Sequence, residues 1–296
     1  MNFKAKFEQG REQLEEQQLT QYQQTVNELL DSSNPEGLKY GELLRGLQEH
    51  EINPETTGTE FLDTLIAQYP DFELAYLYRF ELYNHLERHH DAKKDAERLV
   101  ALDYTNVDYL TCLMASEENE RNFKAVIDIC NRVLSFAQDH VDFIFSRAAA
   151  NLNLKNYDAA IADYQSYLNA QDIDEFDRQL SWLDQGRIFI LKKDYPSAKH
   201  SFEQAKSYGL EPSQVESSLG LIIAKTEDHQ QGLTQINEAL EMNPECSYAY
   251  INRARLMIMK KDFEAATQDL KAARKYDMFN DFALELDLLT AEIESQ

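Results

Sequence analysis

The chain has 296 residues, 43% hydrophobic and 28% charged, so it can bury a core and is not a disordered polymer. Its 53 acidic and 29 basic residues leave a formal charge of −24, which repels phosphate backbones and predicts no nucleic-acid partner. Nine Gly and six Pro are too few for a β-rich chain full of tight turns.

Residues 1–38 are expected to form an N-terminal helical cap. The stretch from Met1 to Gln18 is polar and charged, without the apolar run of a secretory signal. Phe3, Phe7 and Leu14, then Tyr22, Val26, Leu29 and Leu30, fall at helical spacing, and Ser32-Ser33-Asn34-Pro35 breaks the pattern.

From Lys39 onward the chain repeats with a period of 34 residues. The first window, 39–72, fits only through Gly46, Leu62, Leu65 and Pro70. Windows at 73–106, 107–140, 141–174, 179–212, 213–246 and 247–280 follow. The insertion Glu175 to Arg178 is close to one helical turn, so it should lengthen the helix containing Trp182 without rotating its face.

Each window reads as two amphipathic helices joined by a short turn. Small residues recur at Ala148, Gly186, Gly220 and Ala254, and again at Ala160, Ala198, Gly232 and Ala266. They let paired helices approach, while Tyr164, Phe202, Ile236 and Leu270 fill the space beside them. Met114, Val126 and Phe80 stand at the small positions of the two earlier windows, predicting less regular packing there. Asn156, Asp194 and Asp262 are expected to cap second helices, with Pro196 in a first turn. Residues 281–296 are read as a C-terminal capping helix, with Phe282, Leu286, Leu289 and Ile293 inward and its acids outward.

Arg79, Arg147 and Arg253 share one repeat position, and each is followed sixteen residues later by Asp95, Asp163 or Asp269. Windows without the Arg lack the Asp, which predicts an ion pair between the two helices of a repeat. No Gly-rich phosphate loop, HExxH or GxSxG occurs, so neither enzymatic activity nor a cofactor is expected. His85, His89, His90 and Asp91 straddle an expected helix end and read as solvated surface rather than a metal site. Cys112, Cys130 and Cys246 form no CxxC pair and read as packed, reduced thiols. No apolar run nears the roughly 18–20 residues a bilayer requires, which predicts no membrane span and a cytoplasmic location.

The arrangement resembles the tetratricopeptide repeat, with its W-x2-L-G-x2-Y, then A-x3-F, signature. Trp182, Gly186, Phe189, Ala198, Phe202 and Ala205 carry the likeness most fully, and it spans roughly 39–280. It implies an all-α fold, a right-handed α-solenoid of stacked antiparallel helix pairs. In that family the first helix of each repeat lines a concave groove that binds peptides. The register then nominates Leu77, Glu81, Asp108, Glu118, Asp142, Phe145 and Asn153 in the first half. It nominates Leu183, Arg187, Ile190, Lys225, Ile251, Asn252 and Arg255 in the second.

Acids fall early and bases late, so a groove ligand should place its basic part near Glu81 to Asp142. Some relatives clamp a chaperone's C-terminal carboxylate with Lys, Asn and Arg. Here Leu77, Thr111 and Phe145 stand at the first lysine position, and Glu81 and Ala115 at its asparagine partner, so that ligand is not expected. The implied function is a non-enzymatic module binding a protein or peptide segment in the groove. Alternatives are an acidic cytoplasmic chaperone for an aggregation-prone or exported client, or a structural array whose groove is self-occluded. The oligomeric state stays open.

Overall fold

A computed structural model describes residues 2–52, 59–171, 173–278 and 280–295. Part of the expected first window, residues 53–58, lies outside the described residues. Among the described residues there are seventeen helices and no strand. The chain divides into two compact units, one ending at Ile129 and one starting at Cys130, and the division falls within α8 (Phe123–Leu134).

The first unit holds α1 (Phe3–Glu15), α2 (Leu19–Leu30), α3 (Pro35–Ile52), α4 (Glu60–Gln68), α5 (Glu73–His85), α6 (His89–Leu102) and α7 (Val107–Asn119). The segment expected as a cap is itself an antiparallel pair, α1 and α2, docked on α3. Gly10 of α1 meets Leu44 and Thr25, so the small residue does for this pair what the repeated Ala and Gly do later. Phe7, Tyr22, Val26 and Leu29 are buried with Leu43, Leu44, Leu62 and Phe72, and the Tyr22 hydroxyl donates to the Leu44 carbonyl at 2.5 Å.

The second unit holds α9 (Val141–Asn153), α10 (Tyr157–Leu168), α11 (Glu175–Lys192), α12 (Tyr195–Ser207), α13 (Pro212–Thr226), α14 (His229–Met242), α15 (Ser247–Met259), α16 (Phe263–Tyr276) and α17 (Ala283–Glu294). Antiparallel pairing runs α9 with α10, α11 with α12, α13 with α14, and α15 with α16. The fold is an all-α, α-solenoid type. The insertion lengthens α11 to 18 residues, with Trp182 inside it. Small residues sit where helices cross: a Cβ on Gly220 would lie 2.9 Å from the Gly232 carbonyl oxygen, and one on Gly186 would lie 2.7 Å from the Phe202 ring.

The period is written into the backbone as well. Glu87, Arg121, Lys155, Lys193 and Lys261 all adopt left-handed φ of 56–63° at the turn between paired helices. The next amide in each case reaches the carbonyl five residues earlier, as Asn156 N to Asn151 O at 2.8 Å and Asp262 N to Met257 O at 2.9 Å. This closes the orphan carbonyls of the first helix without glycine. Asp194 and Asp262 cap the second helices through Ser197 N and Ala265 N. Asn156 does not cap, because its side-chain amide donates instead to Asn151 Oδ1 at 3.2 Å.

The three arginines behave as their spacing predicts. Within the first unit Arg79 donates to both Asp95 oxygens, at 2.8 and 2.6 Å. In the second unit Arg147 grips Asp163 at 2.9 and 2.7 Å, and Arg253 grips Asp269 at 3.0 and 2.7 Å. Each also reaches sixteen residues backward through Nη1: to Asp63 at 2.6 Å, Asn131 at 2.7 Å and Asn237 at 3.0 Å. One guanidinium thus ties its own second helix to the second helix of the preceding pair, and its planar fork suits that task better than an ammonium.

Candidate interaction face

Helices α9, α11, α13 and α15 are the first members of their pairs, and neighbouring ones touch, as α13 does α15 and α9 does α11. Across them lies α17, the last element. Phe282, Leu286 and Leu289 share a core with Leu183 and Ile190 of α11, Val215 and Ile222 of α13, and Ile251 of α15. Leu284 packs against the cluster of Ala148, Leu152, Tyr164 and Ile188. Tyr248 and Phe282 rings lie 4.9 Å apart. Asp277 shapes the approach by accepting the amides of Asp281 and Phe282 at 2.9 and 3.2 Å.

Arg187 is the centre of this contact, at 5% exposure. Its Nε donates to Glu285 Oε1 at 2.6 Å, and Nη2 donates to Glu285 Oε2 and to the Asp281 carbonyl, both at 2.8 Å. Nη1 donates to Asp184 Oδ1 at 2.6 Å, while the Tyr164 hydroxyl donates to the other Asp184 oxygen at 2.5 Å. The guanidinium also lies 4.8 Å from the Phe282 ring centroid.

Glu285 is wholly buried. Burial alone would push its carboxyl up, but attraction and hydrogen bonds from Arg187 outweigh that and hold it below the usual carboxylate range. Burial would lower Arg187, yet Glu285 and Asp184 raise it further still. The expectation that α17 turns all its acids outward is therefore corrected. A glutamate enters the core because a buried guanidinium needs its charge matched.

Beyond Arg187 the face stays cationic. Arg255 is 8% exposed and its Nη1 donates to Asn252 Oδ1 at 2.9 Å, while Asn252 Nδ2 donates to Ser217 Oγ at 3.2 Å. Lys225 is half-buried, and no carboxylate among the described residues lies within 4.0 Å of it. Burial and the neighbouring charges of Arg255 and Lys193 lower its pKa, and Glu292 of α17 works against that.

The remaining sequence candidates differ in exposure. Glu81, Asp108 and Asp142 are exposed, and Leu77, Glu118, Phe145 and Asn153 are half-buried. Phe145 already packs edge-on and tilted against Tyr164 and Tyr167, with ring centroids 5.8 and 5.2 Å away, and Asn153 returns its amide to the Ala149 carbonyl at 3.0 Å. Leu183, Arg187, Ile190, Ile251, Asn252 and Arg255 are buried, so these six form a floor under α17 rather than the wall of an empty groove. Asp184, Glu285 and Tyr248 were not nominated. Glu285 had a legible signal: with Phe282, Leu286 and Leu289 it completes the helical stripe i, i+3, i+4, i+7, and a charge inside such a stripe calls for a buried partner.

A family model matches part of the chain. Residues 218–280 match the tetratricopeptide repeat. A crystal structure of a tetratricopeptide repeat protein from Parabacteroides merdae ATCC 43184 superposes with a TM-score of 0.64 at 13% identity, covering 90% of this chain and 99% of that one. PilW, described as a widely conserved type IV pilus biogenesis factor, gives 0.54 at 14% identity over 73% of this chain and 97% of its own. The Cut9–Hcn1 hetero-tetramer of the APC/C gives 0.52 at 14% identity over 91% of this chain and 58% of that one. At such identities the likeness is one of fold, a fold commonly used for protein interaction. No curated protein sequence matches the chain. Among the described residues no helix is long and apolar enough to cross a membrane, and no group of three or more His, Cys, Asp or Glu is placed to hold a metal.

Proposed function

We propose that the chain is a non-enzymatic, cytoplasmic interaction scaffold that holds a segment of a protein partner against the first helices of its repeats, without nucleic acid or cofactor. Residues 1–38 and 281–296 serve as terminal helical elements around the repeats of 39–280. The observation that carries the reading is the grip of Arg187 on a main-chain carbonyl and a carboxylate of a crossing segment, which is what binding a polypeptide requires. Apolar contacts supply affinity in such a face, and flanking charges set orientation and on-rate. Three cysteines that form no disulfide among the described residues, two of them buried, suit a reducing compartment.

A second reading, a structural array whose inner face is permanently self-occluded, is favoured by the complete burial of Glu285. Site-specific photo-crosslinkers separate the two. Placed at Glu81, Asp142 and Lys225 they should capture a partner in cells, whereas at Lys199 and Lys271 on second helices they should not. Crosslinks from the second-helix positions alone would move the site, and none anywhere would leave the structural array.

A further inference from the structure

We propose that the inner face of the second unit is a docking site for an amphipathic helix of a partner protein bearing a glutamate within its apolar stripe, and that α17 is the resident stand-in this helix displaces. The inference rests on the interaction reading above and adds the ligand's chemistry.

The chemistry is read from what α17 presents. Phe282, Leu286 and Leu289 enter the core and Glu285, between them, meets Arg187. The face cannot stand empty at no cost. Removing Glu285 would leave the Arg187 guanidinium with Asp184 as its one ion-pair partner. Any replacement must bring an acid to the same place. The face also holds positive charge beyond the Arg187–Glu285 pair, since Arg255 donates to the neutral Asn252 amide and no carboxylate among the described residues lies within 4.0 Å of Lys225. The favoured ligand therefore carries apolar-x-x-Glu-apolar-x-x-apolar, the pattern of Phe282, Glu285, Leu286 and Leu289.

The stand-in is built to leave. It joins α16 through the turn at Asp277–Phe282. Its N-terminus has no side-chain cap, its last turn has no basic residue, and Glu294 faces the negative end of the helix dipole. Twelve residues of this kind are marginal as a helix in water, so α17 depends on the face for its fold.

The test uses the full chain, a fluorescein-labelled synthetic peptide of residues 281–295, and anisotropy. Leu286→Asp with Leu289→Asp releases α17 while leaving the face intact. This variant should bind the peptide at least about tenfold more tightly than wild type, because a site that is rarely open weakens apparent affinity by its open fraction. Arg187→Gln in the released background, or Gln in place of the peptide's Glu285, should each remove at least about a tenfold share of that binding. Equal affinity for the two peptides, or no binding to a released chain whose other helices stay protected from hydrogen exchange, overturns the proposal.

If the doubly substituted chain unfolds, wild type with saturating peptide replaces it. Exchange at residues 283–294 should then accelerate, and unchanged exchange overturns the proposal. Failure here with crosslinked partners in hand leaves the interaction reading standing. Peptide binding without any crosslinked partner sinks that reading and leaves the docking chemistry intact.

Discussion

Removing Asp269 should cost the second unit far more than losing an ordinary surface ion pair would. Asp269 accepts two parallel hydrogen bonds from Arg253, and its side chain is 8% exposed against 28% for the arginine. Breaking a fully buried pair costs about 3–5 kcal/mol, and partial rehydration of Arg253 reduces this to about 2–3 kcal/mol for Asp269→Ala. Among the described residues the guanidinium would keep the neutral Asn237 as its side-chain hydrogen-bond partner, and no carboxylate.

Asp95→Ala is the internal control, because Arg79 would keep the Asp63 carboxylate at 2.6 Å. It should cost about 1 kcal/mol less than Asp269→Ala. Replacing both members, Arg253→Met with Asp269→Leu, should cost less than Asp269→Ala alone, since no uncompensated charge remains. Urea denaturation followed by circular dichroism, with native-state hydrogen exchange in α15 and α16, reads these differences. A cost below about 0.5 kcal/mol for Asp269→Ala, the range of exposed pairs, would refute the argument. So would a double variant whose cost equals the sum of the singles.

Gly220→Ala should destabilise by about 1–3 kcal/mol, and more than Gly186→Ala, because the first Cβ meets a backbone carbonyl and the second a ring that can shift; thermal melts of the two variants check the order. Lys155→Gly should stabilise by about 0.5–1 kcal/mol, as glycine relieves the left-handed φ of 63°, and a lowered melting temperature would count against it. Glu285 has a folded-state pKa below its unfolded value, so its contribution is complete above the ordinary carboxylate value of about 4.3 and drains as pH falls through the folded one. Hydrogen exchange in α17 should therefore accelerate ahead of the other helices as pH falls below that ordinary value, and protection retained in acid would contradict the linkage.

Much of the fold was legible because a solenoid repeats its constraints. Helices begin at Glu73, Val107, Val141 and Ser247, where the windows begin, and the insertion extended α11 by a turn as helical geometry demands. The Arg–Asp pairing could be read because both members come and go together among the windows. What the sequence concealed lies between elements without a fixed spacing. The backward reach of each arginine to Asp63, Asn131 or Asn237 has no such signature, because the acceptor alternates between a carboxylate and a neutral amide.

By itself, then, the sequence determined what local periodicity can carry: helix number, the small-residue crossings, the turns and the identity of the first helices. The tertiary structure alone decided the state of the candidate face. Ninety-eight residues separate Arg187 from Glu285, and no repeat spacing links them. Only the folding back of α17 brings that carboxylate, and Phe282 with it, to a guanidinium already held by Asp184 on the apolar floor. The pairing is settled there because a buried charge must find its opposite wherever the chain can deliver one.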